Sequence, residues 1–149
     1  MNNIAAELQT IIDKHIKSLH AISENDLGYK PSPEKWSKKE ILGHMIDSAQ
    51  NNIRRFIVGQ YEDKPHIVYN QNKWVEISRY QDYDPEDLVN LWYLLNKHIC
   101  SILKNMSPEA GKRESLSENL HSLEWLASDY VSHLRHHLHQ VLDLEPAPY

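Results

Sequence analysis

The sequence predicts an all-α fold, a four-helix bundle with one long crossover connection between the second and third helices. Three observations lead there. Apolar residues recur at i, i+3, i+4 and i+7 in four long segments. Caps and breakers fall between those segments. No stretch alternates Val, Ile and Thr as a strand would, and no internal repeat occurs.

The first helix is expected over roughly 2–24, carried by Ile4, Leu8, Ile11, Ile12, Ile16, Leu19 and Ile22. Gly28, Pro31 and Pro33 interrupt the pattern. The second helix has a clear start. Ser37 followed by Glu40 is a capping box, with Trp36 and Ile41 spaced as a hydrophobic staple. Its stripe runs from Ile41 through Met45, Ala49, Ile53 and Phe56 to about Val58. Residues 59–84 break the pattern with Gly59, Pro65 and recurring Tyr and Trp. A connection of that length holds function or a small element, and a short helix near 71–80 is expected within it. Asp84-Pro85, a cap followed by Pro at the first helical position, opens the third long helix. Ser107-Pro108 and Gly111 end it. The fourth begins near Ser122 and carries Leu126, Tyr130, Leu134, Leu138 and Val141 before Pro146 and Pro148.

One domain over 1–149 fits a chain of 149 residues, long enough to bury roughly 70% of its unfolded surface. The net charge is −5, which gives no general attraction to nucleic acid or anionic membranes. No apolar run is long enough to span a bilayer, and the N-terminus lacks signal-peptide features. A single cysteine excludes an internal disulfide framework and a cysteine-based zinc site. A cytoplasmic, reduced setting is the expectation. Cys100 falls off its helix's stripe and reads as a small filler. Four glycines supply no phosphate-binding loop.

Histidine is the unusual count, 10 in 149, and four fall within residues 133–139. With about 100° per residue, His137 lies about 60° from Leu134 and His133 about 100° to the same side. His136 and His139 fall on the outer face. Residues four apart are helix neighbours, so His133 and His137 can aim at one metal ion. No Glu follows His133, so this is not the H-E-x-x-H of a zinc protease. A third ligand must come from elsewhere. His15 and His98 lie on apolar stripes, where a hydrogen-bonded core histidine is the plainer explanation. His44 lies on a polar face with Ser48, Asn51 and Arg55, and His66 sits in the connection. Spacing alone leaves the choice open.

Residues 36–44, W-S-K-K-E-I-L-G-H, and 133–141, H-L-R-H-H-L-H-Q-V, with N-K-W at 72–74 between them, resemble the DinB/YfiT-like family of metal-dependent four-helix-bundle proteins. The resemblance spans essentially the whole chain. It implies a divalent metal held by three histidines, one from the second helix and two from an H-x3-H in the last; by motif position these are His44, His133 and His137. It further implies that the Ser48, Asn51 and Arg55 face lines a cavity, with Ser48, Asn51 and Trp74 as substrate-binding residues. Many relatives carry an acidic residue before that Trp, where this chain reads Tyr69-Asn70-Gln71-Asn72.

Three neutral imidazoles leave a metal its full charge and an open position, suited to activating water or a thiolate. Imidazole suits several divalent metals, with Zn or Ni favoured here. The resemblance implies, for some members, S-transferase or isomerase chemistry with a low-molecular-weight thiol such as bacillithiol or mycothiol. A metal-dependent transferase or hydrolase acting on a small molecule is the expected function. The alternative is a non-catalytic metal-binding or dimerising bundle, and a homodimer is compatible with both. Asp47 and Asp129, three or four residues from a ligand, are the candidates to orient the imidazoles.

Overall fold

A computed structural model describes residues 1–149. Four long helices form the bundle: α1 (Asn2–His20), α3 (Lys38–Val58), α5 (Pro85–Asn105) and α7 (Leu123–Val141). Short helices α2 (Glu24–Gly28), α4 (Gln71–Ser78) and α6 (Pro108–Gly111) sit in the connections, with a 3-10 turn at Tyr80–Asp82. The first helix ends four residues sooner than its stripe suggests. Ser23 caps a new helix there by accepting from the Asp26 amide, so Ile22 belongs to the turn.

The predicted starts are present. The Ser37 hydroxyl accepts from the Glu40 amide at 3.1 Å, and Glu40 accepts from the Ser37 amide at 2.8 Å. Asp84 accepts from the Glu86 and Asp87 amides ahead of α5. Ser122 accepts from the Trp125 amide ahead of α7.

Packing adds what periodicity does not contain. α1 and α3 each pack against both α5 and α7. Helices consecutive along the chain are therefore diagonal in two of three cases. The 21–37 and 106–122 connections cross the end of the bundle, while the long 59–84 connection joins neighbours. Trp92, Leu88, Ile99 and Leu103 of α5 meet Leu8 and Ile12 of α1 and Leu42 and Phe56 of α3 in one apolar core. Cys100 is buried within it, as a filler, rather than off the stripe. No helix is long and apolar enough to cross a membrane.

A small hairpin corrects the expectation of no strands. β1 (Glu114–Leu116) pairs antiparallel with β2 (Leu120–Ser122). The Leu116 amide and the Ser115 hydroxyl both donate to the Pro65 carbonyl, and the Ile67 amide donates to the Leu116 carbonyl. Three-residue strands leave no periodicity to read. Their backbone bonds fasten the long connection beside α3 and α7.

Gly43 sets a second constraint. A Cβ there would lie 2.1 Å from the Tyr80 ring, so the Tyr80 turn seats directly on α3 and its hydroxyl donates to Asp47 Oδ1 at 2.5 Å. Gly43→Ala would gain about 1 kcal/mol of helix propensity but collide with a rigid ring, an overpacking cost of about 1–3 kcal/mol. Urea denaturation should show net destabilisation, and adding Tyr80→Ala should abolish the penalty of Gly43→Ala. A Gly43→Ala chain more stable than the parent would contradict this seating.

Candidate metal centre

α3 carries an unusual interior face. His44, Asp47, Ser48, Asn51 and Asn52 are all buried. A polar helix face ordinarily meets water; here it meets α7 and the long connection. Amide side chains satisfy part of it locally: Asn51 Nδ2 donates to the Asp47 carbonyl and Asn52 Nδ2 to that of Ser48, both at 2.9 Å.

His44 packs against the two α7 histidines. Its Nε2 lies 3.1 Å from His133 Nε2. Its ring centre is 4.8 Å from that of His137, and the His133 and His137 rings are 4.5 Å apart. One nitrogen from each of the three lies within 4.8 Å of the others. Two imidazole nitrogens on one tetrahedral zinc stand about 3.3 Å apart, so the observed spacing fits donors to a shared ion.

Electrostatics agree. Burial, then the His137 ring, pushes His44 down to about 4. Burial, then His137, His44 and His136, pushes His133 down to about 3. Burial also lowers His137. All three imidazoles are thus neutral at pH 7, the form that binds metal.

The orientation of His137 is fixed by a directional chain of hydrogen bonds. His136 Nδ1 stands 3.1 Å from the Ala147 carbonyl and must donate to it, which leaves His136 Nε2 as acceptor. The Gln140 amide nitrogen, 3.1 Å away, donates to that acceptor. Gln140 Oε1 then accepts from His137 Nδ1 at 2.8 Å. For a neutral His136 ring this pattern satisfies every atom, and it places the His137 lone pair on Nε2. Asp47 and Asp129 do not fill this role. His44 Nδ1 and His133 Nδ1 are buried without partners, as is Asp47 Oδ2.

His136 and His139 are therefore not on an open face. Asp143 adopts φ 53° and turns the chain back along α7. His139 Nδ1 donates to the Glu145 carbonyl, and the Tyr149 ring rests 5.3 Å from that of His133. Pro146 and Pro148 read as helix stops; nothing in their spacing announces the return.

The other candidate ligands stay apart from the centre. His15 is half-buried on α1, near Lys14 and His139. His98 is exposed despite its place on the stripe, and His66 is exposed in the long connection.

A cavity of about 310 Å³ opens beside His133. Ser48 and Arg55 line it, as the resemblance implies, together with Asn52, Tyr69, Asp129 and Tyr149. Asn51 is buried behind this wall. Trp74 stands edge-on to Tyr69 at 5.4 Å, and it is Tyr69 that reaches the cavity. The hairpin residues 117–119 and His121, stacked on Trp125 at 3.6 Å, complete the rim. His137 faces a separate depression bordered by Trp36, Gln71 and Asn72.

A profile of the DinB superfamily matches residues 7–141. The chain belongs to the DinB superfamily. Two curated relatives in it are named "Putative metal-dependent hydrolase". YfiT of Bacillus subtilis is 25% identical over 113 residues, 73% of this chain and 64% of that protein. OB0782 of Oceanobacillus iheyensis is 26% identical over 109 residues, 66% and 63%. The match thus spans less than two thirds of either relative. Among solved structures, YfiT from Bacillus subtilis, described as a four-helix bundle of unusual topology, superposes with TM-score 0.85 at 21% identity, over 95% of this chain and 83% of that one. A histidine-to-alanine mutant of the mycothiol-dependent maleylpyruvate isomerase superposes at 0.77 with 11% identity, over 97% and 60%. Both structures share the DinB fold seen here.

Two measurements test the centre. Gln140→Ala removes the group that orients His137, and zinc affinity by competitive chelation should fall about 10–100-fold with the fold intact by circular dichroism. Unchanged affinity would mean the chain is incidental. The second is pH. His44 and His133 have folded values of about 4 and about 3 against an ordinary 6.5. The unfolded chain takes up protons first, so their contribution is full above 6.5 and drains as pH falls toward those folded values. The Tm of metal-free protein should fall across that window, and His133→Gln should flatten part of the fall.

Proposed function

We propose that this protein is a metal-dependent enzyme acting on a small molecule, with His44, His133 and His137 holding one divalent ion at the head of the cavity. The convergence of three neutral imidazoles on one point carries this reading. A divalent ion on three neutral ligands retains its double charge and an open position, where it acidifies a bound water or thiol. No fourth carboxylate, thiol or imidazole joins the cluster, which favours an open site over a closed structural one.

The chain's own groups divide the remaining work. Gln140 and His136 hold the His137 ring. Asp129 lies one turn before His133 on α7 and on the cavity wall, its carboxyl raised chiefly by burial; it is the acid–base group within the cavity suited to take a proton from an incoming nucleophile. Ser48, Asn52 and Tyr69 offer hydrogen bonds to a small polar substrate. The names of the relatives favour hydrolysis, and the mycothiol-dependent neighbour favours a thiol as nucleophile. Both use the same open position, with Zn or Ni as the ions to test first.

Untagged protein should contain about one divalent ion per chain by elemental mass spectrometry, lost in His133→Ala and in His137→Ala. Metal content unchanged in His137→Ala would sink the reading. Loaded protein is then assayed for conjugation of bacillithiol or mycothiol to an electrophilic dye, and for ester and amide hydrolysis. Thiol conjugation that disappears in both variants establishes the transferase branch; metal-dependent hydrolysis without added thiol establishes the other.

A further inference from the structure

Arg55 is the one cation on the cavity wall that the metal reading leaves unused. It is half-buried. Its Nε and Nη2 donate to the Ile67 carbonyl at 3.1 and 2.9 Å, and its Nη1 donates to Asn52 Oδ1 at 3.3 Å. A guanidinium has five N–H donors. Three are engaged, so one remains free on each terminal nitrogen.

Arg55 takes part in none of the chain's ion pairs, so no carboxylate lies within 4.0 Å of it. Burial lowers its proton affinity, against a weaker opposing pull from Tyr69 and Asp129. Asp129 has Tyr149 as a closer polar neighbour on the same wall, and Glu118 is exposed at the rim. Charges withdrawn from water are costly unless paired. An unpaired guanidinium with a free, forked edge beside a cavity suits a carboxylate.

Position sets the size of the ligand. Arg55 follows His44 by eleven residues on α3, about 16 Å along the axis. Helical side chains lean toward the N-terminus, so the Arg55 fork reaches back toward the histidines. The remaining gap is on the order of 10 Å.

We propose that the cavity binds an elongated anionic small molecule, its carboxylate on Arg55 and its reacting end at the His44, His133 and His137 centre. The second half of this rests on the proposed metal centre; the first half does not.

Four probes of suitable length separate the halves in calorimetry on the full chain: hexanoate, hexan-1-ol, 6-mercaptohexanoate and 6-mercaptohexan-1-ol. Each acid should bind wild type about tenfold or more tighter than its alcohol. Arg55→Gln should bring that ratio to about twofold or less while leaving the alcohols unchanged. Arg55 also holds the Ile67 carbonyl, so Arg55→Gln is checked by thermal melting; the wild-type ratio requires no variant. Equal binding of acid and alcohol to wild type, a ratio that persists in Arg55→Gln, or no binding of either acid would overturn the anion site. If the metal centre alone is wrong, sulfur will add nothing with zinc present, while hexanoate keeps its dependence on Arg55.

Discussion

The structure depends on one costly arrangement, a polar helix face turned inward. Five consecutive-turn residues of α3, His44, Asp47, Ser48, Asn51 and Asn52, are removed from water, and every polar atom among them needs a partner. The two asparagines bond to carbonyls one turn back. Asp47 is met by Tyr80, whose seat requires Gly43 to lack a side chain. Burial raises Asp47 to about 6, so the carboxylate stays mostly charged at neutral pH and takes up its proton on mild acidification. Three of the four buried side-chain polar atoms without a partner lie at the same place, His44 Nδ1, His133 Nδ1 and Asp47 Oδ2; the fourth is Trp92 Nε1 in the core. Residual polarity of that kind is tolerated where a site is meant to hold something.

The rest of the chain serves to keep that face buried yet reachable. Arg113 donates to the Gly59 and Glu62 carbonyls and ties the hairpin to the end of α3. Arg55 ties Ile67 to the same helix. These contacts draw the 59–84 connection and the 114–122 hairpin over α3 and α7, so the roof of the cavity is loop while its floor is helix. A floor of regular helix fixes the histidines; a roof of loops can vary without disturbing the core.

Legibility in the sequence followed the range of the physics. Caps are local, and Ser37, Asp84 and Ser122 marked the long helices within a residue or two. Stripes are local as well, and they identified the core. His133 and His137 were legible because an i, i+4 pair needs only one helix. His44 was not, since its face is polar and only tertiary packing decides whether such a face meets water; motif resemblance supplied what periodicity could not. His98 failed the opposite way, lying on a stripe whose edge the bundle leaves exposed. The hairpin and the return of residues 143–149 were invisible for a shared reason: each is made by contacts between segments with no periodic signature. The Gln140 links lie within one helix, but their direction is set by the Ala147 carbonyl on that return.

The diagonal connectivity explains why one bundle can support both a dry core and a wet site. α5 and α7 are never adjacent, so α3 lies between them with two different faces. Toward α5 it presents the apolar residues that meet Trp92 and Leu88; toward α7 it presents His44 and Ser48. The apolar core draws on all four long helices, with α3 contributing only its apolar side, and it contains no ligand of the proposed centre. Stability and chemistry are thereby assigned to opposite faces of a single helix. The polar face can change its side chains, and with them its ligand, while the packing that holds α3 in place stays the same.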